Sequence, residues 1–414
     1  MTCGGFLACR AAPFGMRHGT RRGGSRHNFW LPSPVLRIAL LSSLMLLGFR
    51  AGAQTTFAFV GSYTDGLPGQ GIHVLRLDGH AQVLQPVWHG DGLVNASFLT
   101  LAPNGRTLYA CTETKTPGDG RVRAFAVDSL TGALRALNVR ASEGENPVYV
   151  SVHPGGRWLV VANYTGSSIT AYPLQQDGSI GEAAQHIAFT GPGSGVVADR
   201  QEGSHVHAAV FAPEGDRLYV PDLGCDRIRA FAFNADAPQP LRADAAFDVA
   251  TAPGSGPRHL AFHPDGHTAY CIEELSGTLC VLQVVNGRLQ QHQRLSSYAE
   301  VPTLGSSADV HVSPDGRNVY TSNRAPEHSI GIFAIDPITG VLRTVVHESS
   351  VGNPPRTFAI SPDGGYVLVA NSASRNAVHF RRDPADGTLG YLGMVKQLEG
   401  AASVVWRTYA TERH

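Results

Sequence analysis

The chain has 414 residues, of which 43% are hydrophobic and 16% charged, and it contains 47 glycines and 26 prolines. Such a chain can bury a large core, and its glycine and proline content indicates many turns rather than long helices. Length alone suggests two or three domains, but all-β repeat folds of this size often form a single domain.

The first 53 residues have the composition of a secretory signal. Six arginines precede the apolar run IALLSSLMLLGF at residues 38–49, and the small residues Ala51, Gly52 and Ala53 follow it. This order predicts cleavage after Ala53. An uncleaved membrane anchor is the alternative, but the apolar run is short for a bilayer. We therefore expect a periplasmic or secreted protein with one domain over residues 54–414 and no membrane span after cleavage.

Removing this segment changes the charge of the chain. The segment holds seven arginines, no lysine and no acidic residue, so residues 54–414 carry 26 basic and 33 acidic side chains. A net charge near −7 argues against nucleic acid or an anionic membrane as a partner.

Four cysteines remain in residues 54–414, and two of them, Cys271 and Cys280, lie symmetrically about Leu275-Ser276. A cross-strand disulfide is possible in an oxidising compartment. Free buried thiols are the interpretation that we favour.

Six segments of the domain repeat one pattern, in which a Pro-X-Gly turn joins two short, alternating apolar runs. The prolines follow one another at intervals of 51, 59, 51, 50 and 48 residues: Pro103, Pro154, Pro213, Pro264, Pro314 and Pro362. A third apolar run and another turn follow most of these segments. Alternation with a period of two residues and a repeat near fifty residues predict an all-β propeller of four-stranded blades.

The two ends of the domain predict a seventh blade. TFAFVGSYT and GIHVLRL, near residues 56–77, have the pattern of outer strands that lack an inner strand, and ASVVWRTYA at residues 402–410 can supply it. A ring closed by strands from both termini leaves no open sheet edge. We therefore predict a seven-bladed β-propeller.

Two positions of the repeat vary in a way that its symmetry does not require. Six residues before each proline stand Ser97, Val148, His207, Arg258, Ala308 and Arg356. Ten residues after it stand Glu113, Tyr164, Leu223, Glu274, Arg324 and Ser372. Because innermost strands line the channel of a propeller, we expect the charged members of these two columns to converge at one mouth, although solvated rim charges are the alternative. The position nine residues after the proline is mostly Asn or Asp, which we interpret as side chains that cap their own turns.

Five motifs resemble the lactonase family of seven-bladed propellers, which includes bacterial 6-phosphogluconolactonase and the fungal carboxy-muconate lactonising enzyme. They are GSGPRHLAFHPDG, CIEELSG, YTSNR, GNPPRTFAISPDG and RQEGSHVHAAVFAPEGDRLYVPDLG, and the similarity extends over residues 56–410. The resemblance implies catalytic roles for His207 in SHVH, Arg258 in GPRH, Glu274 in EEL and Arg324 in SNR. Arg356 in PPRTF fits the same ring.

The resemblance also implies an enzyme that opens a small-molecule lactone. We expect the arginines to bind the carbonyl oxygen and any anionic group, and to lower the pKa of Glu274 so that it serves as a charge partner. Either Glu274 or His207 is expected to act as general base on water, with the other positioning the water or protonating the leaving alkoxide. His207, titrating near neutrality, is the favoured base, and Glu113 and His205 are expected to contact the substrate. Export favours an unphosphorylated aldonolactone. The alternatives are a cycloisomerase acting on a carboxylated substrate, and a propeller without enzymatic activity that binds a protein or glycan.

Two further features lie in the long interval between Pro154 and Pro213. Its extra residues fall in Gly191–Gly203, which we predict to overhang the channel mouth and to help select the substrate. His205 and His207 have a spacing compatible with metal ligation, but no third ligand stands at a diagnostic spacing. We therefore predict no metal and no cofactor.

Overall fold

The computed structural model describes residues 53–114, 116–398 and 400–411 of the chain. Within these residues, 29 strands form seven antiparallel sheets arranged as propeller blades, so the predicted architecture is confirmed. The predicted signal segment, apart from Ala53, lies outside the described residues. Two short 3-10 helices, Leu223–Cys225 and Ala245–Phe247, accompany the strands, and no helix in the described ranges is long and apolar enough to span a bilayer.

Each blade is described from its innermost strand outwards. Blade 1 consists of β29 (Ala401–Thr411), β1 (Ala53–Ser62), β2 (Ile72–Asp78) and β3 (Val83–Gly90). Blade 2 consists of β4 (Ala96–Leu101), β5 (Thr107–Thr112), β6 (Arg121–Val127) and β7 (Leu134–Ala141). Blade 3 consists of β8 (Pro147–Val152), β9 (Trp158–Asn163), β10 (Ser168–Pro173) and β11 (Gln185–Ala188). Blade 4 consists of β12 (Val210–Phe211), β13 (Arg217–Asp222), β14 (Arg227–Phe233), β15 (Leu241–Ala243) and β16 (Val249–Ala250), the last two both pairing with β14.

The remaining three blades are regular. Blade 5 consists of β17 (Pro257–Phe262), β18 (Thr268–Glu273), β19 (Thr278–Val285) and β20 (Arg288–Ser296). Blade 6 consists of β21 (Ser307–Val312), β22 (Asn318–Asn323), β23 (Ser329–Ile335) and β24 (Leu342–Ser349). Blade 7 consists of β25 (Pro355–Ile360), β26 (Tyr366–Asn371), β27 (Asn376–Arg382) and β28 (Leu389–Lys396).

The ring closes as the sequence predicts. β29, from the C-terminal end, pairs antiparallel with β1 from Ala53↔Thr411 to Ser62↔Ala401 and forms the innermost strand of blade 1. It contacts the innermost strands of blades 7 and 2, β25 and β4. Strands from both ends of the domain therefore complete one blade and leave no gap in the ring.

The Pro-X-Gly turns join the first and second strands of blades 2 to 7. In blade 5, the N–H of Gly266 donates to the carbonyl of His263 at 2.9 Å, with Pro264 at the second position of the turn. Proline suits that position because its ring fixes φ, and Gly266, with φ of +75°, adopts a conformation that costs glycine nothing. The same hydrogen bond occurs in the other five turns.

The core is divided among the contacts between blades. Seven clusters of buried apolar side chains lie in the described residues, one between each pair of neighbouring blades. Second strands such as β18 and β22 are buried at every residue because a blade packs on each of their faces. The cysteines Cys271 and Cys280 face each other in the β18–β19 register, and both are free thiols.

The Asn/Asp column is buried and structural, but most of its side chains do not cap their own turns. Asn163 donates to the carbonyl of Ser142 at 3.1 Å, and Asn371 donates to that of Ser350 at 3.1 Å, in each case at the end of the preceding blade. Asp222 alone among these follows the expectation, because it accepts from the N–H of Cys225 in the next turn. The three asparagines of the column therefore tie neighbouring blades together.

Candidate active site

The first variable column coincides with a β-bulge in the innermost strands. The pairing register shifts at Arg258 in β17 and at Arg356 in β25, and the same shift occurs at Ser97, Val148 and Ala308. A bulge leaves its extra residue out of the ladder and redirects the side chain. In each of these strands, the side chain at the bulge therefore does not follow the alternation of side chains between the two faces of the sheet.

His207 occupies this position in an irregular part of blade 4. Val206 bridges Asp222, as the residue before each bulge bridges its second strand, but the regular strand β12 begins only at Val210. The backbone N–H of His207 donates to the carbonyl of Pro221 at 2.9 Å. His205 and His207 thus lie in an irregular segment rather than on a strand face.

The second variable column is fixed by one backbone hydrogen bond that every blade repeats. The N–H of Glu274 donates to the carbonyl of Gly256 at 2.7 Å, and that of Glu113 donates to Asn95 at 3.0 Å. The N–H of Tyr63 makes the equivalent bond to Gly400 at 2.8 Å, which makes Tyr63 the blade 1 member of this column. Because each bond joins the start of the first strand to the end of the second, both columns lie at the same mouth of the channel.

Glu274 binds three arginines, and we call this group the Glu274 cluster. Its Oε1 lies 2.8 Å from Arg200 Nη2 and 3.1 Å from Arg324 Nη2, and its Oε2 lies 3.0 Å from Arg258 Nε. Burial would raise the pKa of Glu274, but Arg324, Arg258 and Arg200 outweigh it and hold the pKa well below its usual range. The expectation that arginines keep this carboxylate ionised agrees with the structure.

Arg258 is the most deeply buried member of this group, at 1% exposure. Burial, together with the charges of Arg324 and Arg356, lowers the pKa of its guanidinium to about 9, so Arg258 remains charged at neutral pH. Its Nε–H makes no aligned hydrogen bond, so the contact with Glu274 is an ion pair without a directed bond. A second nitrogen, Nη1, donates to the carbonyl of Ala308.

Arg200 reaches the site from the Gly191–Gly203 segment, between blades 3 and 4. It also donates to the hydroxyl of Tyr164 at 3.2 Å. The next residue, Gln201, is fully buried and donates to Asp226 Oδ1 at 2.7 Å, while the N–H of Gly256 donates to the same oxygen at 2.9 Å. One buried carboxylate therefore anchors the backbone next to Arg200 and the backbone two residues before Arg258.

Glu113 forms a second, smaller group with Tyr63 and Arg356, which we call the Glu113 cluster. Its Oε2 accepts a hydrogen bond from Tyr63 Oη at 2.6 Å and from Arg356 Nη2 at 3.0 Å. The Arg356 guanidinium also lies over the Tyr63 ring, 5.1 Å from its centroid. Burial raises the pKa of Tyr63 well above its usual value, so the phenol stays protonated and donates.

The expectation that His207 titrates near neutrality is wrong. Burial and the positive charges of Arg258 and Arg356, with His259 nearby, lower its pKa well below 6.5. The imidazole is therefore neutral at physiological pH, and its Nδ1 is buried without a hydrogen-bond partner among the described residues. The sequence could not show this, because it reveals neither the burial nor how close the arginines lie.

His205 lies behind the site rather than in its lining. Its ring stacks on Tyr164 with a centroid distance of 4.7 Å, and its Nε2 lies 2.8 Å from Glu202 Oε1. Its predicted contact with the substrate stays a prediction, and the structure gives it a supporting position under Tyr164. Across the described ranges, no group of three or more His, Cys, Asp or Glu side chains is arranged to hold a metal ion.

The two clusters enclose a cavity of about 310 Å³ at the mouth of the channel. Its lining comes from blades 2 to 7: Glu113, Asn146, Val148, Tyr164, Arg200, His207, Glu274, Arg324 and Arg356. Its volume is at the lower end for small-molecule sites, about 300–1,000 Å³. A larger cleft of about 1160 Å³ lies between blades 5 and 6, but none of its lining residues belongs to the two variable columns, so we place the candidate site in the smaller cavity.

Sequence reasoning missed several residues of this site. Tyr63 was not predicted because blade 1 lacks the Pro-X-Gly turn that defines the repeat positions. Ser62 and Tyr63 nevertheless correspond to the positions nine and ten residues after the proline in the other blades. Arg200 lies in an insertion, where no repeat gives it a position. Asn146 stands two residues before Val148, and comparison with Asn95 in blade 2 could have found it.

A propeller with buried arginines and carboxylates at the mouth of its channel has the architecture of an enzyme rather than of a flat binding scaffold. The sequence model described as "Lactonase, 7-bladed beta-propeller" matches residues 57–406, and the chain belongs to this family, as the sequence motifs indicate. It is therefore an enzyme of the carboxylic ester hydrolase class.

Known relatives resemble the chain over nearly their whole length. A 6-phosphogluconolactonase of Formosa agariphila is 40% identical over 356 residues, which cover 85% of this chain and 99% of that protein. A 6-phosphogluconolactonase of Bacillus subtilis is 33% identical and covers 81% of this chain and 93% of its own length. Among solved structures, a periplasmic gluconolactonase of Pseudomonas aeruginosa has a TM-score of 0.79 at 35% identity, covering 85% of this chain and 99% of that one.

Proposed function

We propose that the protein hydrolyses a sugar lactone by base-assisted attack of water on the ring carbonyl, with guanidinium groups stabilising the oxyanion. The observation that carries this proposal is the Glu274 cluster, in which an ionised carboxylate holds three guanidinium groups beside the cavity. The names of the relatives from F. agariphila, B. subtilis and P. aeruginosa support a sugar lactone as the substrate.

The arginines suit the charge that develops during the reaction. When water adds to the carbonyl carbon, negative charge forms on the carbonyl oxygen, and preorganised donors in a buried site stabilise it strongly. Three guanidinium groups of the lining face two carboxylates, and Asp309 partly offsets the charge of Arg258 behind them, so positive charge is in excess at the cavity: Arg200, Arg324 and Arg356 against Glu113 and Glu274. This excess attracts the oxyanion and the carboxylate of the product.

We assign the proton transfers to His207. As water attacks, its proton passes to the neutral imidazole; as the ring C–O bond breaks, the leaving alkoxide takes that proton and the hydroxy acid forms. Glu274 is a poor base because guanidinium groups contact both of its oxygens. The low pKa of His207 makes its imidazolium unfavourable in the free enzyme, but the oxyanion beside it offsets the surrounding positive charge.

The excess positive charge also favours a second candidate substrate, a sugar lactone that carries a phosphate. Guanidinium groups bind phosphate and carboxylate oxygens in the same manner. Export and the periplasmic gluconolactonase favour the unphosphorylated lactone instead.

A substrate screen tests the proposed function. Purified protein comprising residues 54–414 is assayed with gluconolactone, its 6-phosphate and unrelated lactones, with proton release followed by a pH indicator and spontaneous hydrolysis subtracted. We expect hydrolysis of at least one of the two sugar lactones well above the spontaneous rate. Spontaneous rates for every lactone would refute the proposal.

Export is a separate part of the proposal. The arginine-rich segment, the apolar run and the small residues up to Ala53 motivate it, and the P. aeruginosa neighbour is periplasmic. N-terminal sequencing of protein from cells should find a start at or near Gln54. Exported material that retains residues 1–40 would contradict it.

A further inference from the structure

The cavity has two sides of opposite hydrogen-bonding character. Guanidinium donors surround Glu274 on the side of blades 5 and 6, and they use both oxygens of that carboxylate. On the side of blades 2 and 3, Glu113 and Asn146 each have one oxygen that no donor in the described part of the chain contacts. Both residues belong to the lining.

Glu113 uses one of its two oxygens. Tyr63 and Arg356 both donate to Oε2, and no donor among the described residues contacts Oε1. The side chain is 18% exposed, in contrast to 4% for Glu274. A carboxylate held on one oxygen and free on the other is oriented to accept one further hydrogen bond.

Asn146 contributes a side-chain amide that makes no hydrogen bond with the described residues. The residue is 4% exposed, and its Oδ1 is buried without a donor among the described residues. Asn95, at the equivalent position of blade 2, shows the contrast, because its Oδ1 accepts from the N–H groups of Thr64 at 2.8 Å and Gly66 at 3.2 Å. A buried amide oxygen without a donor is costly, and in the same repeat position of another blade the structure satisfies it.

We propose that Glu113 and Asn146 form a hydroxyl-recognition subsite, which selects lactone rings that carry hydroxyl groups over bare lactone rings. The inference rests on the proposed function. A ring hydroxyl that donates to Glu113 Oε1 makes a charge-assisted hydrogen bond, and a second hydroxyl can hydrogen-bond to the side-chain amide of Asn146. A bare ring offers neither side chain a hydrogen bond, and sites built for a hydroxyl discriminate strongly against analogues that lack it.

The test compares gluconolactone or its 6-phosphate, whichever is hydrolysed faster, with δ-valerolactone, which has the same six-membered ring without hydroxyl groups. The readout is the ratio of kcat/KM for the sugar lactone to kcat/KM for δ-valerolactone. Glu113→Gln should lower this ratio about 10- to 100-fold, the range for losing a hydrogen bond to a charged group. Asn146→Gly, which tolerates the φ of 57° found at this residue, should lower it about 3- to 10-fold, the range for a neutral hydrogen bond.

The ratio separates recognition from general damage, since a variant that is merely less stable loses activity on both lactones alike. Glu182→Gln is the matched control: this glutamate is 86% exposed in an ion pair with Arg140, and the ratio should not change. A wild-type protein that hydrolyses δ-valerolactone as fast as the sugar lactone refutes the subsite and leaves the proposed function intact. Unchanged ratios in both Glu113→Gln and Asn146→Gly also refute the subsite, whereas a wild type inactive on every lactone refutes the proposed function.

Discussion

Glu274 and Glu113 occupy the same position of the repeat, in blades 5 and 2, and the same backbone hydrogen bond fixes both. Their surroundings differ: three guanidinium groups contact both oxygens of Glu274, whereas one guanidinium and one phenol contact a single oxygen of Glu113. In this propeller the repeat therefore determines where a side chain lies. The neighbouring blades and the Gly191–Gly203 segment determine which charged groups surround it, and so its chemistry.

The largest expected effect follows from neutralising Glu274. Glu274→Gln leaves three guanidinium groups without their shared anion, and breaking a buried ion pair in this way typically costs about 3–5 kcal/mol. Urea unfolding should show this loss in the free energy of unfolding. Glu113→Gln should lose clearly less, because one guanidinium depends on it instead of three. Equal losses of stability in Glu274→Gln and Glu113→Gln would contradict the difference in ion pairing between the two carboxylates.

The next effect concerns His207, the proposed general base. His207→Ala should lower kcat by about 10²–10⁴-fold, as expected for loss of a general base. Because the pKa of His207 is held well below 6.5, the imidazole stays unprotonated in mild acid, so the wild type should lose kcat/KM only below pH 6.5. A half-maximal rate at or above pH 6.5 would contradict this assignment, as would an acid limb that is unchanged in His207→Ala.

A smaller effect is expected at the part of the Glu274 cluster that the insertion supplies. Arg200 is 38% exposed, so solvent screens its ion pair, and Arg200→Ala should cost about 1 kcal/mol or less in stability. We expect a rise in KM of about 10-fold, in line with one hydrogen bond to a charged substrate group. Asp226→Asn tests whether Asp226 holds Arg200 in place. This variant should also raise KM, as Arg200→Ala does. An unchanged KM in both variants would show that the insertion does not help to bind the substrate.

The last effect, with the smallest change per pH unit, separates the protonation of Glu274 from that of the buried histidines in acid. His259 and His379 have pKa values lowered to about 4, by burial and, for His259, by Arg258. Below pH 6.5 these histidines become protonated in the unfolded chain but stay neutral in the folded chain. The free energy of unfolding should therefore fall as the pH is lowered from 6.5 to about 4, by at most about 1.4 kcal/mol per histidine and pH unit. Glu274 stays ionised throughout this window. His379→Leu should reduce the slope of stability against pH, and an identical slope would contradict the assignment.

The repeat made most of this fold and part of its site predictable. The spacing of the Pro-X-Gly turns predicted the blades, and the two variable columns predicted six residues of the site: His207, Arg258, Arg356, Glu113, Glu274 and Arg324. The terminal strands indicated how the ring closes. What the sequence could not give depends on three-dimensional neighbours: the bulge that frees the Arg258 side chain, the Arg200 insertion that reaches Glu274, and the environment that lowers the pKa of His207.

The closure of the ring by β29 has a consequence for biogenesis. Of the 29 described strands this one is synthesised last, yet it is the innermost strand of blade 1 and contacts both neighbouring blades. A nascent chain that stops before residue 401 can stack six blades but cannot bring Tyr63, in blade 1, into its place beside Glu113 and Arg356, in blades 2 and 7. Assembly of the Glu113 cluster thus has to wait until residues 401–411 have been synthesised.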